Sequence, residues 1–562
     1  MRLLFLLVLI LVGLSMAFFA FESEINARIL PHLPSDRGKS VYFYTDLFRL
    51  VFAELLWYAG FILVFMFIVV YIPLSRLTDA IHKSSSLPSV VMIIVLGLVM
   101  ILGIAYYILD RFPNSGDEYV YLYQAKTMGH GKLWERAHDL PQFFHFNHIA
   151  QKNGISVGRF PSGWPAFLSL AFYFDFPAFI VNPILALIAI VIFYCFAKQQ
   201  YSNNVAFCAL LAFVFTSYFL FFSASYFSHT SCMLVVLAFV SCLYRYMDTR
   251  LVHYALAAGF FLGLAATIRY FTALLIFLPF IPMLLVNYRL KSLSIFFWMG
   301  LGALPCVLFL FWYNHSITGN FLLPVTLWAY PHEGLGFVKG HTPLQGVEHL
   351  VRRTSMFLYW CSPALLVLYA IYLIQKLMNR SERLKHVEDY AFVCLAAGYF
   401  FYYEIGGDQY GPRFLFEALP FLVLFVTRMV LESRSHLAMA FLSAGCIYAV
   451  AKIPFISLRE HAIIKERTDL YTQVEERKLN DAVVLISSSV CDIRPMPVGD
   501  LTRNEPPFQS DVLFVFDIPQ QNMELFNYYP ERDFYRYQWQ RGKGKGSLVK
   551  LNTRSVNARL HH

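Results

Sequence analysis

Runs of roughly twenty apolar residues, the length a membrane helix needs, recur along this chain of 562 residues and leave it few folds. In lipid every backbone polar group must be satisfied within the protein, so such runs cross as helices. They lie at 3–20, 50–73, 88–109, 178–197, 204–222, 229–247, 253–268, 271–287, 293–313, 355–376, 389–405, 412–431 and 436–453, thirteen in all. Only 14% of residues are charged and 58% are hydrophobic, against about one quarter charged in soluble domains. The 56 Phe residues suit lipid-facing helices and interfacial belts. The expected fold class is therefore an all-α polytopic membrane protein. Residues 3–20, behind Arg2 and with Ser15-Met16-Ala17 near their end, read equally as a cleaved signal or a retained helix.

A formal net charge of +9 does not point to nucleic acid, because the basic residues gather in short loops between apolar runs. Examples are Arg76 with Lys83, Arg245 with Arg250, Arg289 with Lys291, and Lys376 with Arg380, Arg383 and Lys385. Positive-inside topology assigns these loops to the cytoplasm, and thirteen spans put every basic loop on that side. The polar intervals 110–165 and 314–354 then face outward. So does everything after 454, where DAVVLISSS (481–489) and DVLFVFDIP (511–519) look like buried strands of a small extracytoplasmic α/β domain with a basic tail. The expected division is 1–87 for N-terminal membrane helices, 88–453 for a transmembrane core, and 454–562 for this last domain. Residues 164–176, set off by Asp175 and Pro177, read as interfacial or re-entrant. The nine cysteines mostly lie inside apolar runs and suggest no disulfide framework.

Polar chemistry can gather in the interval Asp110–Pro165, which holds the adjacent carboxylates Asp117 and Glu118. Ser115 and Glu118 fit a capping box, opening a helix that runs through YVYLYQAKTM to Gly129 or Gly131. Consecutive helical residues point about 100° apart, so Glu118 can hold the helix while Asp117 is left for chemistry. Both remain candidate catalytic carboxylates. If a sugar moves from a polyprenyl phosphate to an acceptor hydroxyl, a carboxylate can take the proton as general base. The leaving phosphate then needs cationic donors. Arg159, Arg413 and Arg269 lie where the outer ends of spans are expected. The plainer readings are that Arg159 binds ordinary headgroups and that Asp408 pairs with Arg413. Tyr121, His229, Asp408 and Tyr410 complete the expected substrate pocket. No cofactor is expected; a divalent ion held by His145 and His148 is the lesser reading, because no tight ligand motif such as HExxH is present.

Three segments carry a resemblance. GDEYVYLYQAKTMGHG (116–131) resembles the D-E-x-x-Y…A…G segment in the first large external loop of GT-C glycosyltransferases of the protein O-mannosyltransferase and aminoarabinose-transferase type. GRFPSGWPAFLSL (158–170) is similar to their Y-P-P-G-x-P segment, and GGDQYGPRFLFEALPFL (406–422) to a Gly-Pro-Arg-aromatic…Pro motif. The resemblance implies a GT-C membrane glycosyltransferase, hexosyl or pentosyl, with a polyprenyl-phosphate-linked donor, no nucleotide-sugar site, and Asp117 as base. Its partners would be that donor, membrane lipids, and a glycan, lipid or protein acceptor. The implied location is a bacterial inner membrane, with the active site on the periplasmic or extracytoplasmic side. Two departures stand out. Phe160-Pro161-Ser162 replaces a paired proline, and Ser228-His229-Thr230 stands where many members show Thr-Asp, leaving the outer start of that helix without an assisting carboxylate. A transporter or flippase of a lipid-linked saccharide is the alternative, though it should show repeated halves and charged helices near the midplane. A non-catalytic assembly protein that keeps the fold is the third reading.

Overall fold

The computed structural model describes residues 58–62, 74–331, 334–337, 340–406, 409–487, 500–540 and 545–552. The run at 3–20, most of that at 50–73, Asp408 and the end of the basic tail lie outside the described residues. Among them, seven helices are long and apolar enough to cross a membrane: Leu87–Ile108, Ala178–Gln200, His229–Thr249, Val252–Phe277, Lys291–Thr318, Arg413–Ser433 and His436–Glu476. An eighth would be the pair Asn203–Val214 and Ser217–Ala224, bent by 64°. Thr216 makes that bend, since its hydroxyl accepts from Phe219 N at 3.2 Å and starts the second helix afresh.

Besides that bend in 204–222, other runs also differ from those expected. The run at 355–376 is interrupted by Cys361 and Ser362, which caps a new helix at Pro363. At 389–405 only Ala391–Phe400 is α-helical. The run at 436–453 does not stop where composition changes, but continues as one helix to Glu476. By contrast, the separation of 253–268 from 271–287 has a visible cause, because Arg269 is non-helical at φ −149°, ψ 80°. The helices on either side of that return run parallel: Leu256 meets Gly302, and Phe260 O receives Cys306 Sγ at 3.6 Å. Two parallel neighbours need a descending stretch between them, and 270–288 supplies it. A Cβ on Gly302 would stand 2.0 Å from Leu256 O, so glycine is required for the approach.

Two small sheets sit at the end of the bundle that carries Asp117. The first, antiparallel, has β1 (Glu135–Arg136), β2 (Ile149–Lys152) and β3 (Ile155–Gly158) in the order β1-β3-β2. The second has β4 (Ala482–Ser487), β5 (Val512–Asp517), β6 (Asp533–Gln540) and β7 (Lys545–Lys550) in the order β5-β4-β6-β7. Its central strand β4 is parallel to both neighbours and fully apolar from Ala482 to Ile486, as a strand covered on both faces must be. One face packs on Leu470 and Val474 of the long last helix, the other on Phe143 and Phe144 of the 110–165 interval.

Residues 500–505 strap this sheet to the helix Gly116–Gly129. Arg503 donates to Pro113 O at 2.6 Å, Tyr119 OH to Asn504 O, and Thr502 to His145 O at 2.9 Å. Lys126 pairs with Glu505. At the opposite end of the bundle the basic loops converge. Lys376 and Arg428 share Asp389 at 2.7 and 2.9 Å, Arg428 also donates to Tyr201, and Arg250 lies 4.4 Å over the Tyr288 ring.

Candidate active site

The helix Gly116–Gly129 opens with the capping box read from Ser115 and Glu118. Glu118 Oε2 accepts from Ser115 N at 3.0 Å, and Oε1 accepts from Tyr226 N at 2.9 Å. Burial pushes this carboxyl up to about 7 against the pull of those donors. Both oxygens are thus engaged in structure, and Glu118, expected as catalytic, does not line the cavity that Asp117 enters. The reason is the turn between the two side chains, which aims Glu118 at Tyr226 and Asp117 into the cavity.

Asp117 points into a cavity of about 160 Å³ whose walls include Tyr121, Arg159, His229, Arg269 and Arg413. Arg413, delivered by the Pro412 turn, pairs with one Asp117 oxygen. His148 Nε2 lies 3.4 Å from the other, and its Nδ1 lies 3.1 Å from Arg159 Nη1. An arginine can only donate, so the acceptor on His148 is Nδ1 and a neutral ring carries its proton on Nε2, facing Asp117. Arg159 is 5% exposed and lies 4.5 Å over the Tyr330 ring. Burial disfavours ionisation of Asp117, but Arg413, His148 and Arg159 outweigh it and hold the carboxyl below the usual carboxylate range. Burial pushes His148 down to about 4.

A second network closes the cavity floor. Arg269, freed from helical geometry by the break, places Nε 3.1 Å from Glu417 Oε1 and Nη2 3.2 Å from Tyr399 OH. His229 Nδ1 lies 3.0 Å from the same Glu417 oxygen. Glu417, 0% exposed, was not among the residues singled out from sequence. Its signal was a carboxylate inside FLFEALPFL, since ionisable residues within apolar spans are rare and need a partner. A carboxylate thus does lie beside His229, contributed from the start of the Arg413–Ser433 segment. Tyr121 lines the cavity and meets Ser228 Oγ at 3.1 Å.

Tyr410 does not reach this pocket. It is fully buried among Phe221, Phe222, Phe227 and Trp360, because its φ of 61° turns it back into the aromatic core while Arg413 goes forward. His145 and His148 are also separated: His145 faces Phe516 in an outer groove, whereas His148 faces Asp117. Among the described residues no group of three His, Cys, Asp or Glu side chains could hold a metal ion.

Comparison with known proteins follows this geometry. A family model described as dolichyl-phosphate-mannose-protein mannosyltransferase matches residues 165–312. ArnT from Cupriavidus metallidurans in the apo state is similar over 82% of this chain and 97% of its own, with a TM-score of 0.51 and 10% identity. The fold is of the GT-C type. The same protein bound to undecaprenyl phosphate gives a TM-score of 0.49 at 10% identity, over the same shares of the two chains. The oligosaccharyltransferase of Archaeoglobus fulgidus in the apo form is similar at a TM-score of 0.43 and 11% identity, over 76% of this chain. This chain spans 61% of that protein's length. No curated protein sequence matches the chain. The apolar helices and the GT-C fold make it an integral membrane protein.

The His148 environment has a measurable consequence. Between about 4, its folded value, and 6.5, its ordinary value, the unfolded chain binds a proton that the folded one does not, so stability falls as pH drops through that window. Thermal unfolding followed from pH 7 to 4.5 should show a steeper loss in the wild type than in His148→Gln. Equal slopes would contradict the buried neutral imidazole.

Proposed function

We propose that this protein is a glycosyltransferase that moves a sugar from a polyprenyl-phosphate-linked donor to an acceptor hydroxyl at the outer face of the membrane. The observation that carries this reading is one carboxylate, Asp117, meeting Arg413 within a cavity that also receives Arg159 and Arg269. In the reaction the acceptor oxygen forms a bond to the anomeric carbon as the bond from that carbon to the phosphate oxygen breaks. The electron pair leaves with the phosphate, whose charge the arginines disperse. The hydroxyl proton passes to Asp117.

A lipid donor is supported by the cavity's surroundings. A second pocket of about 140 Å³ shares Pro161, Tyr270 and Thr326 with it and continues between Phe311, Leu322 and Val325, an apolar route suited to an isoprenoid chain. The shared fold is that of ArnT, a protein also known bound to undecaprenyl phosphate. Orientation is supported by the basic loops, which gather at the end opposite Asp117. The transporter alternative is disfavoured by packing. Between Glu417 and Arg428 the helix Leu419–Ser433 is buried on all sides, with Phe421, Leu422 and Phe425 at most 1% exposed, so the two polar ends are separated by a filled core.

Hydrogen bonds to charged groups contribute about 1.5–3 kcal/mol each. Arg413→Ala and Arg159→Ala should therefore each weaken retention of undecaprenyl phosphate or dolichyl phosphate by the purified protein about 10- to 150-fold. Unchanged affinity in both variants, measured by native mass spectrometry with added lipid, would remove the phosphate clamp.

A further inference from the structure

Behind the wall made by His148 and Tyr330 lies a separate open groove of about 880 Å³, walled by the loop 141–152, residues 329–330 and the end of strand β5. Tyr330 is common ground between the two spaces. Its ring underlies Arg159 of the donor cavity, its hydroxyl accepts from His148 N at 2.8 Å, and it also lines the groove. The backbone on either side of His148 serves both: His148 itself turns to Asp117, while His145 and Gln151 turn to the groove.

We propose that this groove binds the acceptor, and that the acceptor is a neutral, hydroxyl-rich saccharide; the inference rests on the transferase reading above. Its polar lining is mainly amide, from Gln142, Gln151 and Gln520, beside the rings of His145, Tyr330 and Phe516. Planar amides both donate and accept, matching sugar hydroxyls, and ring faces suit the C–H faces of a pyranose, as in other concave sites with few polar anchors. The Gln151 nitrogen donates to Phe144 O at 2.8 Å and its side-chain oxygen is enclosed, so the amides presented to the groove are those of the exposed Gln142 and Gln520.

Charge in the groove is sparse. Asp517 is held by Arg536 at 2.7 Å and burial pushes the His145 imidazole down, toward its neutral form, which leaves Lys152, 5.2 Å over the Trp328 ring, as the one cation among the lining residues. An acidic or phosphorylated acceptor would meet a single cation there, against three arginines in the donor cavity. An extended peptide would dock most simply by adding to the sheet edge at β5, but that edge is engaged, with Phe516 N donating to Phe143 O at 2.9 Å. The groove's walls belong to none of the candidate spans, so a lipid acceptor gains no apolar path into it.

The test is binding of the full-length, detergent-purified protein to an array carrying neutral oligosaccharides, uronic-acid oligosaccharides and Ser/Thr-rich peptides, with undecaprenyl phosphate retention measured in parallel. Neutral oligosaccharides should be bound. The exposed double variant Gln142→Ala/Gln520→Ala should bind them at least tenfold more weakly while retaining undecaprenyl phosphate as well as the wild type. Arg413→Ala should show the converse pattern. Binding of acidic glycans or peptides in place of neutral sugars, no glycan binding at all, or equal binding by the double variant would each overturn the proposal. Glycan binding that responds to the glutamines in a protein that retains no polyprenyl phosphate would uphold the groove and sink the donor reading instead.

Discussion

Asp117→Asn is expected to lower sugar transfer about 10²–10⁴-fold, the range that a positioned general base supplies, without weakening donor binding. The direction of the second effect follows from the Asp117–Arg413 pair. Asp117 is tied to the cation that a donor phosphate would need, so the two anions would compete for Arg413. When phosphate wins, Asp117 loses its strongest stabilising neighbour and becomes a better proton acceptor. Removing its charge ends the competition, and undecaprenyl phosphate should be held as tightly as before or more tightly. Transfer from a radiolabelled polyprenyl-phosphate sugar in membranes, read beside lipid retention, separates the possibilities. If Asp117→Asn instead lost lipid binding and thermal stability together while turnover per folded molecule persisted, Asp117 would be an ion-pair strut and not the base.

Glu417→Ala should give the largest loss of stability in the molecule's polar network. Glu417 is shared by Arg269 and His229, and it is completely enclosed. Taking one partner from a buried ion pair leaves a charge uncompensated and costs roughly 3–5 kcal/mol. The unfolding temperature in detergent should drop by several degrees, and lipid retention should fall as Arg269 loses its orientation. Glu417→Gln keeps the volume and one acceptor, so it should recover much of the stability and less of the lipid binding. If Glu417→Ala unfolded at the wild-type temperature, the network would hold nothing together.

What the sequence revealed follows a physical pattern. The capping box is local, spanning Ser115 to Glu118, and so the different fates of Asp117 and Glu118 could be read before any fold was known. Arg159, Arg269 and Arg413 were visible because charge at the end of an apolar run is costly, and all three reach one cavity. Glu417 was overlooked because its partners come from helices beginning 188 residues earlier, at His229, and from the break at Arg269. Composition misled at 454, where polarity changes but helical geometry does not, so the last helix runs on to Glu476. At 361–362 hydrophobicity was continuous while Ser362 and Pro363 restarted the helix, a case in which capping chemistry outweighs apolar content. Tyr410 sat within a suggestive motif, but a positive φ three residues before Arg413 reversed its direction.

The strap at residues 500–505 bears on how the molecule comes into being. Chains emerge N-terminus first and their early parts fold first. The helix bearing Asp117 thus exists long before Asn504 and Arg503, almost 390 residues later, arrive to fasten Tyr119 and Pro113. Every described membrane helix precedes that point. Synthesis itself therefore sets the order of maturation: the bundle is inserted, the long last helix carries the chain to the sheet, and only then is the helix bearing Asp117 clamped. A nascent or truncated chain ending before residue 500 would hold its described spans and most of its cavity wall, yet lack the strap that fastens the helix bearing Asp117.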